Sequence, residues 1–480
     1  MHRLCYDSPP MSSPTMPISA NTAHAPHSAQ MPAHAVAAAH FPVSTDALER
    51  IAEAVLDFAH AGGASAAETE VSQAIGQSVT VRKGDVETIA YNRDKGVGIT
   101  VYVGKRRGHA STADFSDESI RATVDKALTI ARYTAEDPAA GLADADLLAK
   151  TWPDLDLYHP WDVSVEGAIA IAREAEAAAL AVDSRIANSE GATVARGESE
   201  FVYASSDGFA GGYRSSRHHI DCSVIAEADG SMQRDYWYTA ARAAEDLQSP
   251  EDVGRIAGER TVRRLGARQL ETGECPVLFE APEAADLLGS FVHAVSGGSL
   301  YRRSSFLLDS LGTQVFAPIV NIREEPHLPR ARGSAPFDNE GVATYSRDVV
   351  VDGMLRGYFL GSYSARKLGM QSTGNAGGPH NLVVPGTEDF DDMLRRMGRG
   401  LFVTEQLGQG VNPVTGDFSR GAAGFWIEDG AIAYPVEEIT IAGNLRQMFR
   451  DIVALGNDID RRGSRYIGSV LVAQMTIAGG

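Results

Sequence analysis

The segment LLGSFVHAVSGGSLYRR, residues 287–303, sets a helix-like run with one histidine before a glycine-rich turn and a basic pair. That outline raises the chemistry of a helical metal site. Such a site needs two histidines one turn apart, so that both imidazoles leave one face and grip the same cation. It also needs a glutamate beside the first, to take a proton from metal-bound water. Positions 289–294 read Gly-Ser-Phe-Val-His-Ala, which offers His293 and no carboxylate. His218 and His219 are adjacent, and on a strand they point to opposite faces. His109, His159, His327 and His380 stand singly. The plainer reading of His293 is a packed or hydrogen-bonded side chain, and spacing alone yields neither a catalytic set nor a metal set.

Other chemical motifs fail on their partners. SARK (364–367) matches the S-x-x-K acylation motif, but the S-D-N and K-T-G elements that must accompany it are missing. GQGVNPVTG (408–416) resembles a dinucleotide loop, except that Pro413 takes the third glycine position and no strand–helix unit of the parallel kind surrounds it. NAGGPHN (375–381) and VTGDFSRGAAGFW (414–426) are glycine-dense beside apolar strands. They suit close backbone approach at a peptide-binding rim or subunit contact, and equally suit plain turns.

The elements that must position these residues alternate between helical and strand periodicity. STDALERIAEAVLDFAHAGG predicts a helix with Thr45 and Asp46 at its cap and Gly62-Gly63 at its end. The run 78–112 predicts antiparallel strands punctuated at Asp85 and at Lys95-Gly96, and 116–135 predicts a second helix. WPDLDLYHPWD (152–162) reads as a linker. A helix capped by Ser164 follows, then strands near 193–205, 209–226 and 232–241, then a helix capped by Ser249 with Pro250 in its first turn. After 271 the pattern gives a strand, a helix over 282–296, hairpins turning at Asp352-Gly353 and Asp429-Gly430, a helix over NLRQMFRDIVALG and a strand near 468–478. The expected fold is α+β, with antiparallel β-rich sheets carrying packed helices in two main domains. The expected divisions are a disordered extension over 1–43, an α+β region over 44–151, a helix with long hairpins over 152–270, and a β-rich region over 271–480.

Composition narrows the function. The 480 residues carry a net charge of −20, and the basic pieces at 105–107, 263–268 and 302–303 are short and isolated, which argues against a nucleic-acid partner. Cys5, Cys222 and Cys275 make no CxxC pair, which fits a reducing compartment. No apolar run is long enough to span a bilayer, and the Ala-, Pro- and Ser-rich start lacks the apolar core of a secretory signal, so a cytoplasmic location is expected. The pair His24 and His27 lies in that start, and Met11, Met16 and Met31 offer later initiation points.

Taken together, GVGITVYVGKRRGHASTADFS, PHLPRARGSAPFDNEGV, SYSARKLGMQSTGNAGG, GQGVNPVTGDFSRGAAGFWIEDG and EEITIAGNLRQMFRDIVALGND resemble the TldD/PmbA family, closest to its PmbA (TldE) branch, over roughly residues 45 to 480. The resemblance implies a heterodimer with a TldD-like subunit that acts as a zinc metallopeptidase on unfolded peptides. In the TldD-type subunit a helix carries H-E-x-x-x-H, and a later cysteine completes the site. Aligned on SLYRR (299–303), those positions fall on Gly289, Ser290 and Ala294, with His293 one residue off; GSRYIGSVLVAQMTIAGG holds no cysteine. The expectation is a subunit that binds no cofactor, with zinc in its partner. Ser290, His293, Tyr301, Arg302 and Arg303 are the candidate lining toward the peptide channel or the partner, while local pairing of the two arginines with Asp309 is an equal alternative. An autonomous hydrolase with an unrecognised site, or a non-enzymatic binding protein, stays open.

Overall fold

The computed structural model describes residues 41–479. The expected extension falls outside the described residues up to position 40, with Cys5, His24 and His27. Phe41 is buried and stacks on Tyr158, and the Gln73 side chain both donates to and accepts from the backbone of Val43.

One six-stranded sheet spans the first half. Its strands are β1 (Ala66–Arg82), β2 (Asp85–Val103), β3 (Arg106–Thr112), β4 (Ile186–Ser205), β5 (Ala210–Ala228) and β6 (Ser231–Ala241), ordered β3-β2-β1-β4-β5-β6 with every neighbour antiparallel. Helices α1 (Thr45–Ala61) and α2 (Asp117–Tyr133) cover one end, and α3 (Val165–Ala181) and α4 (Pro250–Arg263) the other. Val71 packs with the first pair and Val79 with the second. Those two valines lie an even number of residues apart on an unbroken stretch of β1, so both helix pairs sit on the same face. The opposite face of the central strands carries small residues in register: Ala74 opposite Ser199, Gly76 opposite Gly197, and Ser78 opposite Ala195. Residues 152–164 form neither helix nor strand, and the strands on either side of them join in this one sheet.

The second half holds α5 (Ala281–Ala294), α6 (Gly297–Tyr301), α7 (Ser362–Leu368), α8 (Phe390–Met397) and α9 (Leu445–Arg450). Its small sheet has the order β10-β9-β8-β11-β16, from β8 (Ile322–Glu325), β9 (Arg347–Val351), β10 (Met354–Leu355), β11 (Asn381–Val383) and β16 (Arg465–Tyr466). The larger sheet has the order β14-β13-β12-β7-β17-β15, from β7 (Gly273–Phe279), β12 (Gly400–Leu407), β13 (Asp417–Glu428), β14 (Ala431–Asn444), β15 (Ile452–Leu455) and β17 (Val470–Ala478). β14 also pairs with β17, so this sheet closes on itself. The α+β reading therefore holds. The sheets are mainly antiparallel; among the described residues the parallel strand pairs are β7–β12 and β11–β16, with isolated parallel bridges such as Arg268 to Val436 of β14.

Local chemistry explains most boundaries. Ser164 accepts from the Gly167 amide and Ser249 from that of Asp252, so both expected caps are made. The hairpins at Asp352-Gly353 and Asp429-Gly430 have positive φ at both central residues, as a two-residue turn of this hand requires. Three expectations are corrected. Lys95-Gly96 is not a turn, because β2 runs straight through it while the turn falls at Lys83-Gly84, where both φ are positive. Thr45 and Asp46 do not cap α1: Ser44 is the cap residue, and Thr45 spends its hydroxyl on Glu200. The run NLRQMFRDIVALG holds only the short α9 before the chain turns into β15, whose β-branched Ile452 and Val453 continue as strand.

Candidate functional site

Helix α5 buries Leu287, Leu288, Phe291 and Val292 on its inner face, with Phe291 edge-on to Phe316 at 5.0 Å. Its outer face is closed by charge pairing. Asp286 pairs with Arg420, and Gln406 Nε2 donates to Glu283 Oε2 at 2.9 Å. Burial, reinforced by Glu280, Asp286 and Glu405, pushes the Glu283 carboxyl up to about 7. Glu280 in turn accepts from Arg260 at 2.7 Å. Arg465 Nη1 donates to the Ala285 carbonyl at 3.0 Å, and a Cβ at Gly289 would sit 2.7 Å from that same nitrogen. The guanidinium therefore lies directly over the helix at Gly289, and burial lowers its affinity for its proton.

The five sequence-derived lining residues separate into small groups. Ser290 is half-buried on the helix, and His293 is exposed with its Nε2 3.4 Å from Ser299 Oγ. Arg302 donates to the Tyr301 hydroxyl at 3.0 Å and lies over that ring, which meets Tyr363 of α7 edge-on. Arg303 is exposed in the left-handed region, with φ 58°. Neither arginine pairs with Asp309 among the described residues. A Cβ at Gly297 would collide with the Ser364 side chain, so glycine there lets α6 lie against α7. The glycine-dense run 375–381 is structural. Asn375 and the His380 amide both donate to Glu324 Oε1, and Arg347 pairs with the other oxygen at 2.7 Å.

A larger feature was not visible in the sequence. A cleft of about 1120 Å³ lies between the helix-free face of the six-stranded sheet and the loops of the second half. Gly76, Gly197 and Arg217 stand in register across its floor, and Asn92 folds over Gly76. Arg242, Arg332 and Arg462 come from the end of β6 and from two loops. Arg462 pairs with Asp460 and stacks on Trp237 at 3.9 Å. Arg242 donates to the carbonyls of Ser216 and Arg332 at 3.2 and 2.9 Å. The Arg217 side chain is exposed to the cleft and makes no hydrogen bond or ion pair among the described residues, and partial desolvation together with the nearby Arg332 and Arg242 lowers its hold on its proton. These arginines come from separate segments, none of them among the basic pieces noted in the sequence, so no spacing could have flagged them.

Three family models match in succession: PmbA/TldA metallopeptidase domain 1 over 67–131, the central domain over 158–265 and the C-terminal domain over 272–479. The chain is 51% identical to the metalloprotease PmbA of Escherichia coli O157:H7 across 90% of its own length and 96% of that protein's. A crystal structure of a candidate modulator of DNA gyrase from Bacteroides thetaiotaomicron superposes with a TM-score of 0.86 at 29% identity, covering 91% of this chain and all of that one. TldE from Thermococcus kodakarensis shares the fold, with a TM-score of 0.77 at 18% identity over 90% of this chain and all of that one.

Proposed function

Because the chain belongs to the PmbA/TldD metallopeptidase family, we propose that it is the non-catalytic subunit of a heterodimeric metalloprotease. Its partner is a TldD-like chain that holds the zinc, and the pair degrades or processes unfolded peptides in the cytoplasm. The observation that carries this reading is the guanidinium of Arg465 lying over Gly289, the position that the resemblance aligns with the first metal-binding histidine. A cation there would meet a fixed positive charge and one neighbouring imidazole, His293, whose ring faces Ser299. That donor set does not fit a zinc ion, which takes three or four N, S or O ligands. Without the helix's glutamate no base is positioned for bound water, and base assistance alone is worth roughly 10²–10⁴-fold.

The edge of the large sheet supports association. β3 covers β2 only from Val97 to Val103, so among the described residues the outer edge of β2 from Asp85 to Gly96 is unpaired. That stretch exposes Val86, Ile89 and Tyr91. An open edge with apolar side chains is a template for another chain. Among the described residues no helix is long and apolar enough to cross a membrane. The test is to purify the chain alone and with a TldD-like partner, then measure zinc and cleavage of an unfolded peptide. The expected result is zinc and cleavage in the complex only. Stoichiometric zinc in the lone chain overturns the reading.

A further inference from the structure

We propose that Arg217, Arg242 and Arg332 form a carboxylate-binding site in the cleft, which holds an acidic, extended peptide by its side-chain or terminal carboxylates. This rests on the reading above only in taking an unfolded peptide as the ligand.

Charge accounting within the cleft carries the argument. Its acids already have partners. Glu198 accepts from Tyr158 and pairs with Arg196, and Asp246 pairs with Arg330. Glu280 pairs with Arg260, Asp458 accepts from Ser469, and Asp460 pairs with Arg462. On the basic side, Arg242 is held by carbonyl oxygens, which satisfy its N–H groups and leave its charge uncancelled. Among the described residues the Arg332 side chain reaches only the Arg462 carbonyl, at 3.3 Å, and the Arg217 side chain has no hydrogen-bond partner. The site is thus a guanidinium held by carbonyls and flanked by two that have no carboxylate partner among the described residues, in a chain whose net charge is −20. Guanidinium forks bind carboxylates in pairs of parallel hydrogen bonds, and a concave wall that gathers charge of one sign strengthens that attraction against an opposing net charge. The floor beneath suits an extended backbone. Gly197 has open space where a Cβ would stand, apart from backbone oxygens at 3.7 and 4.0 Å, and it lies beside Arg217 in register.

The test measures fluorescence anisotropy of labelled unstructured decapeptides with the full chain, alone and in complex with a TldD-like partner. The peptides are an acidic sequence with a free C-terminus, the same sequence amidated, a neutral sequence with a free C-terminus, and the neutral sequence amidated. Binding of the acidic peptides is expected to exceed that of the neutral amide by about tenfold, which corresponds to about 1.4 kcal/mol. Retention by the amidated acidic peptide assigns the contact to side chains, and retention by the neutral free acid assigns it to the terminus. The Arg217→Gln/Arg332→Gln variant should lose that advantage while keeping its melting temperature and its co-purification with the partner. Equal binding of all four peptides, or unchanged preference in the variant, overturns the site. Loss of zinc or cleavage in the wild-type complex, with the preference intact, strikes the proposed function and leaves this site standing.

Discussion

The outer face of α5 and the floor of the cleft are both lined with charge, yet they settle it in opposite ways. Along α5 every acid meets a donor: Glu280 with Arg260, Glu283 with Gln406, Asp286 with Arg420. In the cleft the acids are likewise used up, but Arg217 and Arg332 find no carboxylate among the described residues. A closed network contributes to holding a fold. An open cluster of one sign costs folding free energy and is better explained by something that arrives later. Helix α5 is therefore the quieter region, and the helix-free face of the six-stranded sheet is the more reactive one electrostatically.

Substitutions can break that contrast. The largest effect is expected on the inner face of α5, where Phe291→Ala should cost about 3–5 kcal/mol in denaturant unfolding, because a fully buried ring leaves a cavity. Next is Glu283→Gln. The folded carboxyl titrates near 7, above its ordinary value of 4.5, so it is neutral in both states at low pH and costs nothing there. As pH rises from about 4.5 to 7 the unfolded chain ionises first and stability falls, levelling above 7. The glutamine variant should lack that fall and gain on the order of 2 kcal/mol over wild type at pH 8, read from unfolding midpoints across pH. Asp286→Asn leaves Arg420 with a weakened partner and should cost about 1 kcal/mol by the same measurement. His293→Ala should lower cleavage by the complex only a few-fold, since among the described residues the ring's one hydrogen-bonding contact is Ser299 at 3.4 Å; unchanged turnover removes it from the channel. The smallest change is Arg217→Gln, which should shift stability by less than about 0.5 kcal/mol, as is usual for a side chain with no partner to lose. A large loss there would make the cleft a closed network like the helix.

What the sequence revealed and what it hid divide along the same line. Caps and hairpin turns are local, so Ser164, Ser249-Pro250 and the Asp-Gly pairs could be read from a few neighbouring residues. Lys95-Gly96 misled because glycine marks a turn only where the backbone needs positive φ, and here Gly96 is simply paired with Ser72. Ser290, His293, Tyr301, Arg302 and Arg303 share one continuous segment, and the structure scatters them between a helix face and an aromatic contact with α7. Arg217, Arg242 and Arg332 belong to a strand, a strand end and a loop; the pairing of β5 with β6 sets the first two side by side, and the Arg242 bond to the Arg332 carbonyl brings in the third. Their meeting is a tertiary fact with no footprint in spacing.

The closed sheet of the second half also sets an order of assembly. Val277 of β7 pairs with Leu401 on one side and with Val472 on the other, so this apolar strand waits for both neighbours to be made far downstream. Contacts of such separation form slowly. Until they do, Val277, Leu278 and Phe279 present a bare, sticky edge. Refolding from denaturant should be sluggish and lossy at high protein concentration, and a holding chaperone added during dilution should raise the yield.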